Sequence, residues 1–362
     1  MWRRENSNKA PAPSGASIFG SAVMEEDEQV QASPKAEPLA SALGVVGNKS
    51  VWVVVLAGGD GRRLEAVTRA HDGTPAPKQF CSFRDNRSLL RATLDRACNI
   101  VNRDHIVVVV AERHRPWWEV ELKDLPRENV VAQPDNRGTA VAILCALASI
   151  LRRDRSPLLL VMPSDHDVEE EDVMLRKERR ALRAAAIHEQ DLVLLGITPT
   201  HIDVEYGLIV PVSGQVGTSR KVMTFVEKPA LSTAAQLMRR GAMWNSFVFG
   251  CTGSALYALY EDIVPALLGA SLAAFDGGSA EPDALAMLFR DLPMRDFSRD
   301  LLQRNARRLR VIAVPACGWT DLGTPARLAA WLDRNREAAF WRTSGLSRTP
   351  GVPDDAWDVR SA

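Results

Sequence analysis

The 362 residues contain no apolar run approaching the roughly 20 residues that a membrane-spanning helix requires. They have no excess of one charge either: 45 Lys and Arg stand against 45 Asp and Glu. A balanced chain gives no global electrostatic case for binding nucleic acid or an anionic membrane, so neither is expected as a partner. Cysteine is sparse, with Cys81, Cys98, Cys145, Cys251 and Cys317 scattered and no C-x-x-C pair. That argues against a disulfide framework or a zinc site and for reduced thiols in a cytoplasmic protein. The arginines after Met1-Trp2 are not followed by an apolar core, so the start does not read as a secretory signal. No internal repeat is found.

What is present is organised around Val51–Leu64, VWVVVLAGGDGRRL. Its first half is a continuous β-branched run, the pattern of a strand buried on both faces. Its second half is a glycine-rich loop ending in two arginines. There, backbone amides can approach phosphate oxygens and arginine can supply planar donors. A dinucleotide-binding turn would need a third glycine where Leu64 stands, and a Walker A loop would need Gly-Lys-Ser/Thr. An ordinary strand-to-helix turn that binds nothing is the plain alternative.

Residues 1–48, with Pro11, Pro13, Pro34, Pro38 and the acidic patch Glu25–Glu28, read as a disordered tail, and Met24 is an alternative start. Residues 49–342 read as one domain and 343–362 as a frayed end. Within the domain, strands at 51–56, 106–111, 130–132, 158–162 and 191–197 alternate with helices at 89–100, 138–151 and 172–188, plus a short polar helix carrying Trp117 and Trp118. The pattern predicts an α/β fold, a Rossmann-like, mainly parallel but mixed sheet sandwiched by helices. The second half predicts an antiparallel excursion at 206–212 and 221–226 and a strand at 246–250. Helices are predicted at 231–240, 253–274, 284–290, 297–304 and 325–341, with a last strand at 310–315.

In open α/β sheets, ligands sit beyond the carboxyl ends of the strands. Four polar clusters follow predicted strands: 58–63, Gln133–Thr139, Pro163–His166 and Trp319–Gly323. Together with Pro77-Lys78-Gln79-Phe80, Tyr206-Gly207, Phe225–Pro229 and Trp244-Asn245-Ser246, they occur in an order that resembles the sugar-1-phosphate nucleotidyltransferases. The resemblance covers about residues 50–330 and points to the mannose-1-phosphate guanylyltransferases, through Pro77–Phe80 and Asn136–Thr139.

The resemblance implies a nucleotide-diphospho-sugar transferase fold and a magnesium-dependent reaction. GTP and α-D-mannose 1-phosphate would give GDP-mannose and diphosphate by in-line attack of the sugar phosphate on the α-phosphorus. It assigns Gly58, Gly59, Gly61 and Arg63 to the triphosphate, Lys78 to a second phosphate contact, and Gln133 and Gly138 to the base. Asp165 and Asp321 would hold Mg2+, while Gly207, Glu227, Lys228 and Asn245 would face the sugar phosphate. The chemistry needs these types, since two anions that repel each other must be neutralised and aligned, and magnesium takes few protein ligands. No covalent nucleophile is required.

Plainer roles stand beside these. Asp165 could cap a helix, His166 could be structural, and Lys228 could be a solvated strand-end lysine. Asn245 could cap a turn, and Trp244 and Trp319 could simply pack. The charged run 176–183 reads as a solvated helix face. The chain departs from the family pattern in a longer 65–76 segment, in Phe247 where glycine is common, and in His201–Glu205 before Tyr-Gly. The isomerase module and the β-helix of some family members are not seen. Another nucleotide or sugar 1-phosphate, or a silent regulatory paralogue that binds nucleotide sugar, are the alternative functions, and a homo-oligomer is left open. A nicotinamide-dependent dehydrogenase is disfavoured by the missing third glycine.

Overall fold

Strand β1 (Val51–Ala57) shows why the fold is layered. Val51, Val53 and Val55 point into one apolar cluster, while Trp52 and Val54 point into another. A strand with apolar side chains on both faces is stable only when helices cover both, each buried aliphatic side chain contributing about 1.5–3 kcal/mol. The computed structural model describes residues 49–65, 68, 76–84, 87–213, 219–275, 282–290 and 292–335. The expected tail at 1–48 and the frayed end at 343–362 lie outside the described residues, as does most of the 65–76 segment.

β4 (Ile106–Ala111), β5 (Val130–Gln133) and β6 (Leu158–Pro163) extend the sheet from β1 in parallel pairs. β10 (Met243–Thr252) lies antiparallel between β6 and β7 (Leu192–Ile197), and β11 (Leu309–Val314) runs parallel to β7. β8 (Leu208–Pro211) and β9 (Arg220–Val226) form the expected antiparallel pair. The sheet order is β5-β4-β1-β6-β10-β7-β11-β9-β8, a mixed sheet of the expected class. A short hairpin, β2 (Ser82–Arg84) with β3 (Arg87–Ser88), adds to the expected elements.

Three elements differ from expectation. The helix predicted over 253–274 is two, Gly253–Ile263 and Pro265–Ala274, because Pro265 has no N–H and its ring cannot follow a helical turn. β10 runs for ten residues rather than five and changes register between Asn245 and Phe249. Residues 297–308 form a π-helical turn and then a 3-10 stretch that leaves helical geometry at Asn305. The last helix covers Pro325–Arg334, and 336–341 of its predicted span lie outside the described residues.

The strands β1, β5, β6 and β11 share a direction, so their carboxyl ends open on the same edge. Two backbone hydrogen bonds between Asp167 and Thr320, 2.9 and 3.0 Å, stitch the loop after β6 to the loop after β11. The Trp331 indole donates to the Asp167 carboxylate at 2.6 Å and pins the closing helix beneath them. This local pairing brings Asp165 and Asp321 to one place from opposite halves of the chain.

Candidate active site

The loop after β1 is held from below. The buried Gln79 amide donates to the main-chain oxygens of Ala57 and Gly59, both at 2.9 Å. Gly58 faces the Gln133 side chain, and Gly61 packs on Lys78. Asp60 ion-pairs with Arg113, which comes from the end of β4. Arg63 projects outward, and its guanidinium meets the Glu205 carboxylate at 3.1 Å.

Lys78 is buried, and its ammonium is the hub of the site. It lies 3.0 Å from the Asp165 carboxylate and donates to the main-chain oxygen of Asp321. Burial works to raise the Asp165 carboxyl, but the Lys78 ammonium and His166 hold it below the ordinary carboxylate value. Asp165 caps no helix, since the next one begins at Glu171. The Asp321 carboxylate faces elsewhere. Arg327 grips both its oxygens at 2.8 and 3.0 Å, the Gly323 amide donates at 2.8 Å, and the Tyr206 hydroxyl donates at 3.3 Å. The two aspartates thus share Lys78, one through its side chain and the other through its backbone. His166 stands edge-on to Trp319, and burial lowers its pKa despite Asp165 and Asp321 nearby.

Beside this cluster opens a cavity of about 730 Å³. Gly58, Gly59, Gln133, Gly138, Ser164, Asp165 and Phe247 line it, with Met294–Asp296 and Arg299 across the mouth. The volume lies within the range of small-molecule sites. Gly138 is obligatory here: its φ is 88°, and an added Cβ would stand 2.3 Å from the Arg295 carbonyl oxygen. That carbonyl accepts from Ala140 N at 3.1 Å, so the segment 294–296 seals against the Gln133–Thr139 loop.

Gly207, Glu227 and Asn245 meet on the other side. A Cβ on Gly207 would lie 2.5 Å from a Glu227 carboxylate oxygen and 3.4 Å from the Asn245 Cβ, so the absent side chain lets these groups close in. The Asn245 side chain accepts from Phe247 N at 3.1 Å within the β10 irregularity, the turn-capping role, and its amide donates to Ser298 Oγ at 3.4 Å. Phe247 takes φ 62°, the left-handed conformation that favours glycine. Lys228 is exposed at φ 47° and lies 3.8 Å from Glu205. The Trp244 and Trp319 ring centroids each lie 5.1 Å from that of Tyr206.

Burial and Asp296 push the Glu227 carboxyl up to about 7, against the opposing pull of Lys228 and Arg299. The folded chain therefore keeps this proton over a window from about 4.5 to about 7 where the unfolded chain has lost it. Stability contributed at low pH is lost as pH rises through that window. Glu227→Gln is expected to flatten this part of the pH profile and to melt higher than the parent at about pH 8. Melting curves of both proteins at about pH 5 and pH 8 check it, and an identical pH dependence would refute it.

The structure brings Gly58, Gly59, Gly61, Lys78, Gln133, Gly138, Asp165 and the Asp321 backbone together. It sets Gly207, Glu227 and Asn245 in a neighbouring group, and leaves Arg63 and Lys228 at the rim joined through Glu205. Sequence reading gives no role to Gln79, Glu205, Arg295 or Arg327. Gln79 sits inside a motif of the family pattern and Glu205 in the divergent 201–205 stretch, whereas Arg295 and Arg327 carry no local signal.

A family model described as nucleotidyl transferase matches residues 52–335. The chain belongs to that family. Xanthan biosynthesis protein XanB of Xanthomonas campestris is 32% identical over 282 residues, covering 76% of this chain and 58% of that protein. Mannose-1-phosphate guanylyltransferase RfbM of Salmonella typhimurium is 30% identical over 279 residues, covering 75% of this chain and 56% of that one. The chain thus spans little more than half the length of these relatives. The crystal structure of mannose-1-phosphate geranyltransferase from Thermus thermophilus superposes with a TM-score of 0.67 at 27% identity. The match covers 78% of this chain and 79% of that one. No helix among the described residues is long and apolar enough to cross a membrane.

Proposed function

We propose that this chain is a mannose-1-phosphate guanylyltransferase, joining GTP and α-D-mannose 1-phosphate into GDP-mannose with release of diphosphate. The carrying observation is the Lys78 ammonium between Asp165 and Asp321, beside a cavity walled by the Gly58–Arg63 and Gln133–Thr139 loops. The names of several relatives support the choice of sugar and nucleotide.

In this reading the base lies against Gln133 and Gly138, and the triphosphate follows the loop of Gly58, Gly59 and Gly61 toward Lys78. Arg63 takes the departing diphosphate. Gly207, Glu227, Lys228 and Asn245 orient the sugar phosphate so that its oxygen meets the α-phosphorus in line. The donor set fits Mg2+: Asp165 lines the cavity, and the Asp321 carboxylate, which Arg327 holds by both oxygens, would supply the second anionic ligand. A magnesium site needs only one or two carboxylates besides phosphate and water, so the lack of a larger cluster among the described residues is no obstacle. The ion would neutralise charge shared by the two substrates.

A diphosphate-release screen of nucleotides against sugar 1-phosphates tests the proposal. GTP with mannose 1-phosphate should be the fastest pair. Faster turnover of dTTP with glucose 1-phosphate would overturn the guanylyl and mannosyl assignments, and no turnover with any pair would overturn the reaction. Within the same reading, Lys228→Ala should raise KM for mannose 1-phosphate about tenfold and leave KM for GTP nearly unchanged. Equal rises for both substrates would remove Lys228 from the sugar side.

A further inference from the structure

The Glu205 carboxylate lies where a substrate anion would be needed. One oxygen, Oε2, is 3.1 Å from the Arg63 guanidinium and 3.8 Å from the Lys228 ammonium. Those two cations come from the loop after β1 and from the end of β9, so a single oxygen bridges the two sides of the site. The backbone that carries the carboxylate is also held in place. The Glu205 amide donates to the Asp203 carboxylate at 2.8 Å, and Arg327 grips Asp203 at 2.8 and 3.1 Å. The same Arg327 stacks 4.0 Å over Tyr206 and pairs with Asp321. Glu205 sits in the His201–Glu205 stretch, where the chain departs from the family pattern.

We propose that Glu205 is an internal placeholder for phosphate, an anion that keeps Arg63 and Lys228 together until a phosphate displaces it. The inference rests on the reading of Arg63 and Lys228 as phosphate contacts. All three side chains are partly exposed, so each ion pair is weak and readily exchanged. A carboxylate carries one charge and reaches the pair with one oxygen. A phosphate carries more charge and more acceptor oxygens, and so replaces it. Glu205 then sets the affinity threshold for anions, since any phosphate must first displace it from the two cations.

The test is the binding of inorganic diphosphate by titration calorimetry to the full chain and to Glu205→Gln, each at two salt concentrations. Removing one competing charge at this range should tighten binding about three- to tenfold and steepen its fall with salt. In an Arg63→Ala/Lys228→Ala background the same substitution should give no tightening, because the cations it competes for are gone. Unchanged or weaker binding by Glu205→Gln, or tightening that persists without the two cations, would overturn the proposal. Tightening as expected, in a protein that releases diphosphate from no substrate pair, would leave the placeholder standing and remove the transferase reading instead.

Discussion

Asp165→Asn is expected to lower kcat by about two to four orders of magnitude while the protein still folds. The substitution keeps the shape of the side chain and an oxygen for the Lys78 ammonium, 3.0 Å away in the parent, but removes the anionic charge. In the proposed reaction that charge holds the magnesium ion. Its loss leaves the attacking phosphate and the triphosphate with less shared counter-charge. The measurement is turnover of GTP with mannose 1-phosphate, set beside a melting curve. Near-normal turnover would remove Asp165 from the metal site, and unfolding alongside loss of activity would point to a structural role. Asp321→Asn is a less clean experiment, because the same carboxylate anchors Arg327, Gly323 and Tyr206. It is expected to lose stability as well as activity, and a double-mutant cycle with Arg327→Gln separates the two.

Lys78→Met should cost about two to three orders of magnitude in kcat. Methionine fills much of the same buried volume but carries no charge, so packing against Gly61 survives while the link between Asp165 and the Asp321 backbone does not. Charge inside a water-poor site acts more strongly than at the surface, which is why one ammonium can matter this much. Lys78→Arg should rescue only part of the activity, since a planar fork cannot replace a point charge seated between two oxygens. Full activity in Lys78→Met would show that the ammonium only holds the loops together.

The parts of this architecture that are legible in the sequence are those governed by local pattern. The apolar runs 106–111 and 158–162 are strands almost residue for residue, because a strand covered on both faces admits few polar side chains. The break at Pro265 is also written locally, but a long apolar stretch on either side of it masks the signal. The extension of β10 is not legible, since its first residues pair with β7 and β8, strands met only in the fold. Among site residues, glycine loops and aspartates after strands can be placed because their positions follow from the carboxyl edge of a parallel sheet. Arg327 and Glu205 cannot. Arg327 lies 124 residues from its partner Asp203, and Glu205 lies 142 residues from Arg63. Nothing in the spacing of charged residues foretells such meetings. The departure at Phe247 has a physical form: a phenylalanine occupies left-handed backbone that glycine would take without strain.

The proposed nucleotidyl transfer at the α-phosphorus of GTP can be followed through the fate of labelled phosphorus. GTP labelled at its α-phosphorus, incubated with mannose 1-phosphate and magnesium, should place the label in GDP-mannose, while label at the γ-phosphorus should leave in diphosphate. Recovery of the γ label as orthophosphate, or of the α label as free GDP or GMP with no nucleotide sugar formed, would show that the sugar phosphate does not attack the α-phosphorus.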